Sequence, residues 1–122
     1  MTAKRILIVD DSPTDQQFLR ELLTAKGYHV VTASGAEEGI AKAKTLRPDL
    51  ILMDVVMPGV NGFQATRQLG QDAATKDIPV IICTTKQQET DRFWGLKQGA
   101  RDYVTKPVDG AELLAKIAAQ GL

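Results

Sequence analysis

The sequence has one cysteine, no net charge and no long apolar run, and each shortage closes off a class of protein. The lone Cys83 cannot form an internal disulfide, and no Cys/His cluster suggests zinc. Fifteen Lys+Arg against fifteen Asp+Glu leave no global basic field to draw in nucleic acid. No stretch approaches the roughly 20 apolar residues that span a bilayer. After Met1 to Arg5 the apolar run Ile6 to Val9 is stopped by Asp10 and Asp11, too short for a secretory signal core. The expectation is a soluble cytoplasmic protein that neither enters a membrane nor binds nucleic acid.

What is present fits one globular domain. Apolar residues make up 43% and charged residues 25% of 122 residues, enough to bury a core. Short apolar runs alternate with segments of helical period. Ile6-Leu7-Ile8-Val9 and Leu50-Ile51-Leu52-Met53 are continuous and branched, as in strands buried on both faces. His29 to Thr32, Ile78 to Cys83 and Tyr103-Val104 read as three further strands. Ser12-Pro13 opens a helix with an apolar stripe of Phe18, Leu19, Leu22 and Leu23, stopped near Gly27. Ser34-Gly35 opens a second, with Ile40, Ala43 and Leu46 inward, ended before Pro48. The Pro58-Gly59 and Asn61-Gly62 loop precedes a third, carrying Phe63, Thr66 and Leu69. Gln88 to Gln98 is a fourth and more polar helix, and Asp109 caps a fifth with Leu113, Leu114 and Ile117. Five strand–helix units imply an α/β fold, a doubly wound parallel sheet with helices on both faces. No linker, repeat or low-complexity segment interrupts residues 1–122, and the expectation is one domain with no output domain.

Ligands of such sheets sit outside the carboxyl ends of the strands. Those ends carry Asp10-Asp11, then Asp54, then Thr84-Thr85, then Lys106-Pro107. Crowded carboxylates repel, and a hard divalent cation such as Mg²⁺ relieves them through oxygen ligands. A carboxylate is also a nucleophile that forms an aspartyl phosphate. Catalysis of phosphoryl transfer is mostly positioning and charge, and a cation, an ammonium and a hydroxyl supply it. Each residue alone has a plainer explanation. Asp10-Asp11 before Ser12-Pro13 reads as helix capping, Asp54 before Pro58-Gly59 as turn chemistry, Thr84 as a strand-end hydroxyl and Lys106 as a solvated charge. Their conjunction at one sheet edge favours the phosphoryl reading.

Those residues carry a resemblance. The stretches ILIVDDS from Ile6, PDLILMDVVMPGVNG from Pro48, PVIICTT from Pro79 and GARDYVTKP from Gly99 resemble the receiver domains of bacterial two-component response regulators. The resemblance covers essentially the whole chain. It implies a flavodoxin-like fold with strand order 2-1-3-4-5. It also implies Asp54 as phosphoacceptor and Mg²⁺ held by Asp11 directly, by Asp10 through water and by the Val56 carbonyl. Thr84 becomes the switch hydroxyl and Lys106 the phosphate-binding lysine, joined to Pro107 by a cis bond. Tyr103 becomes the aromatic that turns inward when Thr84 moves toward the phosphoryl group. Val56 and Lys86 flank the pocket at positions that tune phosphoryl lifetime.

More narrowly, Asn61 to Leu69 and Gln88 to Pro107 resemble single-domain regulators of type IV pilus twitching motility. That implies a chemotaxis-type sensor histidine kinase as donor and a possible pilus-motor target. It implies no enzyme beyond self-phosphorylation and autodephosphorylation. Two other functions compete: a phosphate sink that drains a shared kinase, and a flavodoxin-like flavin binder. The second would want a glycine- or hydroxyl-rich loop where Asp10-Asp11 stands. Trp94 is expected to pack partly at the sheet edge, Cys83 to be a core residue and His29 to be a surface residue.

Overall fold

A computed structural model describes residues 3–59, 61–86 and 88–122. Met1 and Thr2 of the N-terminal stretch and Val60 of the Pro48 to Gly62 motif lie outside the described residues. The chain runs β1 (Arg5–Val9), α1 (Pro13–Thr24), β2 (His29–Ala33), α2 (Ala36–Leu46), β3 (Leu50–Met53), α3 (Gly62–Gln71), β4 (Val80–Thr84), α4 (Glu89–Lys97), β5 (Asp102–Thr105) and α5 (Gly110–Ala118). All strand pairs are parallel, in the order β2-β1-β3-β4-β5.

Side chains alternate across each strand, which divides the core into two layers. Ile6, Ile8, Leu50, Leu52, Ile81, Cys83 and Val104 meet Leu19 and Leu23 of α1 and Leu113 and Ile117 of α5. On the opposite face, Leu7, Val9, Ile51, Met53 and Val80 meet Ala36 and Ala43 of α2 and Ala65 and Leu69 of α3. Val55, Ile82, Ala100 and Tyr103 continue that second layer at the β5 edge. The apolar runs are uninterrupted because both faces of each central strand are covered.

Caps fix where helices start. Ser12, Asn61 and Asp109 accept from the backbone N–H three residues on, of Asp15, Gln64 and Glu112. Two expectations shift. β4 begins at Val80 rather than Ile78, since the Ile78 N–H closes a turn onto Thr75 and Pro79 has no N–H for a ladder. Phe18 stands 47% exposed, one position round the helix from the buried Leu19. Cys83 is buried and His29 exposed, as expected. Trp94 is 54% exposed, so it is partly covered. Among the described residues no helix is long and apolar enough to cross a membrane.

Candidate functional site

The parallel sheet places the carboxyl ends of β1, β3, β4 and β5 along one edge. Two backbone bonds set the depth of the acidic groups there. Asp10 N–H donates to the Ala33 carbonyl at 3.0 Å, and Asp54 N–H donates to the Val9 carbonyl at 2.9 Å. Asp10 and Asp54 are thereby buried just past the strand ends, while Asp11 is exposed. Carboxylate oxygens of Asp10, Asp11 and Asp54 all lie within 4.8 Å of one another.

Gly62 allows α3 to start against this edge. A Cβ there would overlap the Asp54 carbonyl oxygen and crowd Val55. The backbone then holds the carboxylates in place. Asp54 Oδ1 accepts from Val56 N–H at 3.0 Å, and Asp10 Oδ1 accepts from Ser12 N–H at 2.9 Å. Lys106, after β5, donates from Nζ to Asp10 Oδ2 at 2.7 Å, Asp15 Oδ2 at 2.8 Å and Asp54 Oδ2 at 3.1 Å. Its own N–H donates to the Thr84 carbonyl at 2.8 Å, tying β5 to β4 at this point. The Lys106–Pro107 peptide is cis, as the resemblance implies.

Charge around the ammonium is unbalanced. Burial raises the Asp10 pKa above its ordinary value and Asp54 adds to this, against the opposing pull of Lys106 and Ser12. Burial works against the Lys106 charge, but Asp10, Asp15 and Asp54 outweigh it and raise its pKa. One cation thus faces several carboxylates, an excess of negative charge that a hard divalent cation relieves. The donor set is all oxygen, which suits Mg²⁺. Thr84 is fully buried, and its Oγ1 has no hydrogen-bond partner among the described residues. An orphaned buried hydroxyl is costly and invites an acceptor supplied from outside the fold.

The structure brings Asp10, Asp11, Asp54 and Lys106 together. Thr84 sits at the adjoining strand end, and Val56 lines a hollow of about 510 Å³ with Asp11 and Lys86. Tyr103 is already inward, 1% exposed, with its hydroxyl donating to the Lys86 carbonyl at 2.7 Å. Burial, with Asp91 adding and Arg92 opposing, pushes its pKa up to about 12. The Arg92 guanidinium lies over the ring, 5.5 Å from its centroid.

Sequence reasoning missed Asp15. In the first turn of α1 an acidic residue reads as an ordinary complement to the helix dipole. Its contact with Lys106 spans 91 residues, and no local pattern announces it.

Comparison with known proteins defines the class. The response regulator receiver domain family matches residues 6–118, so the chain belongs to that family. Protein PilH of Pseudomonas aeruginosa is 59% identical over 115 residues, covering 94% of this chain and 95% of its own. The response regulator PleD of Caulobacter vibrioides is 42% identical over 93% of this chain, which spans 25% of that protein. Among solved structures, the Vibrio cholerae chemotaxis protein CheY4 superposes with a TM-score of 0.90 at 30% identity, covering 97% of this chain and 98% of its own. A putative response regulator from Chloroflexus aurantiacus gives 0.93 at 29% identity, covering 98% of each chain. The chain is therefore a receiver-domain signalling protein rather than a classical enzyme, and phosphoryl acceptance is general to its family. The doubly wound architecture expected from the sequence and the strand order implied by the resemblance are those observed.

Proposed function

We propose that Asp54 accepts a phosphoryl group from a sensor histidine kinase in a Mg²⁺-dependent reaction, and that the resulting charge switches the surface beyond β4 and β5. The observation that carries this is the gathering of Asp10, Asp11 and Asp54 within 4.8 Å, with Lys106 bonded to two of them. Asp10, Asp11, Asp54 and the Val56 carbonyl would hold Mg²⁺, with Asp10 acting through water. When bound, the ion neutralises charge on the transferring phosphoryl oxygens.

The chain's own residues perform the rest. An Asp54 carboxylate oxygen attacks phosphorus, an O–P bond forms, and the P–N bond of the donor phosphohistidine breaks with its electron pair returning to the imidazole. The Val56 N–H orients the carboxylate, and Lys106 covers one phosphoryl oxygen. The Thr84 hydroxyl, lacking a partner among the described residues, donates to another. Movement of Thr84 alters the packing next to Tyr103 and α4, shifting the population of forms that a partner distinguishes.

Near end-to-end similarity to PilH supports a place in type IV pilus twitching control, with a chemotaxis-type kinase as donor and a pilus-motor component as a target. Intact mass after incubation with Mg²⁺ and acetyl phosphate tests the chemistry. One added phosphoryl group on the native chain and none on Asp54→Asn is the expected result. An adduct that survives Asp54→Asn, or none on the native chain, refutes it. Affinity capture with the beryllofluoride-loaded chain tests the pathway: recovery of a pilus-motor component supports it, and capture of kinase alone points to a phosphate sink.

A further inference from the structure

If Asp54 takes the phosphoryl group, the reading on which this inference rests, Lys106 must also present a hydrogen to that group. An ammonium carries three hydrogens. Three carboxylates lie within hydrogen-bond distance of Nζ here, Asp10 at 2.7 Å, Asp15 at 2.8 Å and Asp54 at 3.1 Å, enough to engage all three. A phosphoryl oxygen arriving at Asp54 therefore displaces one of these acceptors.

The three differ in what release costs. The Asp10 side chain is 3% exposed, so losing the ammonium would strand a buried carboxylate. Asp54 is the accepting group: it takes phosphorus on one oxygen and keeps its other oxygen as an acceptor beside the ammonium. The Asp15 side chain is 40% exposed at the start of α1, where water solvates a released carboxylate at little cost. We infer that Asp15 is a positioning residue that occupies the third hydrogen of Lys106, yields it to the phosphoryl group, and by this competition lowers the affinity of the pocket for phosphoryl-like anions.

Two effects have the same sign. Removing the Asp15 charge frees a hydrogen of Lys106, and it removes a negative group that opposes an incoming anion. Lys106 itself stays anchored by Asp10 and Asp54. A neutral amide oxygen still accepts from the ammonium but brings no negative charge to it. Asp15→Asn is therefore intermediate, and Asp15→Ala has the larger effect.

The test titrates the full chain with beryllium and fluoride at saturating Mg²⁺, following bound fluoride by ¹⁹F NMR, with thermal unfolding run on every variant. Loss of one charge-assisted competitor is expected to tighten beryllofluoride binding about tenfold in Asp15→Ala and less in Asp15→Asn. Asp15→Glu, which restores the charge, is expected to stay within about threefold of the native chain. A merely structural role would weaken binding in all three variants. Should Asp15→Ala fail to fold, the Asn and Glu pair still decides the sign. Unchanged or weaker binding in folded Asp15→Asn and Asp15→Ala, beside normal binding by the native chain, overturns this inference alone. No binding by the native chain overturns it together with the assignment of Asp54.

Discussion

Replacing Lys106 with methionine keeps a side chain of nearly the same length and apolar character as the lysine stem and removes the ammonium. In the native chain that group bonds Asp10 and Asp54, whose side chains are 3% and 8% exposed. Breaking a buried ion pair from one side costs roughly 3–5 kcal/mol, since the partner stays buried and unpaired. Two features pull the value to the low end. Asp10 and Asp54 each keep a backbone donor, from Ser12 and Val56, and the bond to half-exposed Asp15 adds little. The expected loss is about 3 kcal/mol in chelator at neutral pH, against a domain stability of roughly 5–15 kcal/mol, so the variant still folds. With a urea slope of about 2 kcal/mol per molar, the midpoint falls by about 1.5 M. Adding Asp54→Asn removes one stranded charge and is expected to recover about half of the loss. Far-ultraviolet circular dichroism in urea reads both. A Lys106→Met midpoint within about 0.3 M of native, or a double variant weaker than the single, would refute the charge balance assigned to this site.

Gly62→Ala forces a Cβ into the Asp54 carbonyl oxygen and is expected to destabilise the fold by about 3 kcal/mol, read by urea unfolding, and to abolish phosphoryl uptake. Tyr103→Phe removes the hydrogen bond to the Lys86 carbonyl and is expected to cost about 1 kcal/mol while leaving the rate of uptake from acetyl phosphate unchanged. Burial pushes the Cys83 thiol up to about 12, so the folded chain is expected to resist iodoacetamide at pH 8 and to react in urea. For the same thiol the folded pKa lies above the unfolded one. Its contribution to stability is complete below about 9 and is lost as pH rises toward about 12, which alkaline urea titrations of the native chain and Cys83→Ala compare.

The layered sheet was legible because its central strands are covered on both sides. Ile6 to Val9 and Leu50 to Met53 therefore appear as unbroken apolar runs, and their ends locate Asp10 and Asp54 to the residue. Boundaries were less legible where tertiary context decides them. Ile78 looks like strand, yet Pro79 and the turn onto Thr75 delay β4 to Val80. Apolar periodicity also placed Phe18 in the core, whereas a helix stripe narrower than four neighbouring positions leaves it facing solvent. Within the site, residues at strand ends were legible from topology alone. The orientation of Tyr103 was not, because it depends on how α4 packs: Gly95 leaves space beside its ring that a Cβ would crowd. Asp15 was invisible for a different reason, since its meaning comes from Lys106 and not from its neighbours in sequence.

The central claim is that the carboxylate of Asp54, and no other in the cluster, forms the acyl phosphate. Borohydride cleaves an aspartyl phosphate and leaves homoserine, so reduction of the acetyl phosphate-treated chain followed by peptide mass mapping locates the modified residue. Homoserine at position 54 alone, dependent on Mg²⁺, is the expected outcome. Homoserine at position 10, 11 or 15, or its absence from a chain that carries a stable phosphoryl adduct, would contradict the account.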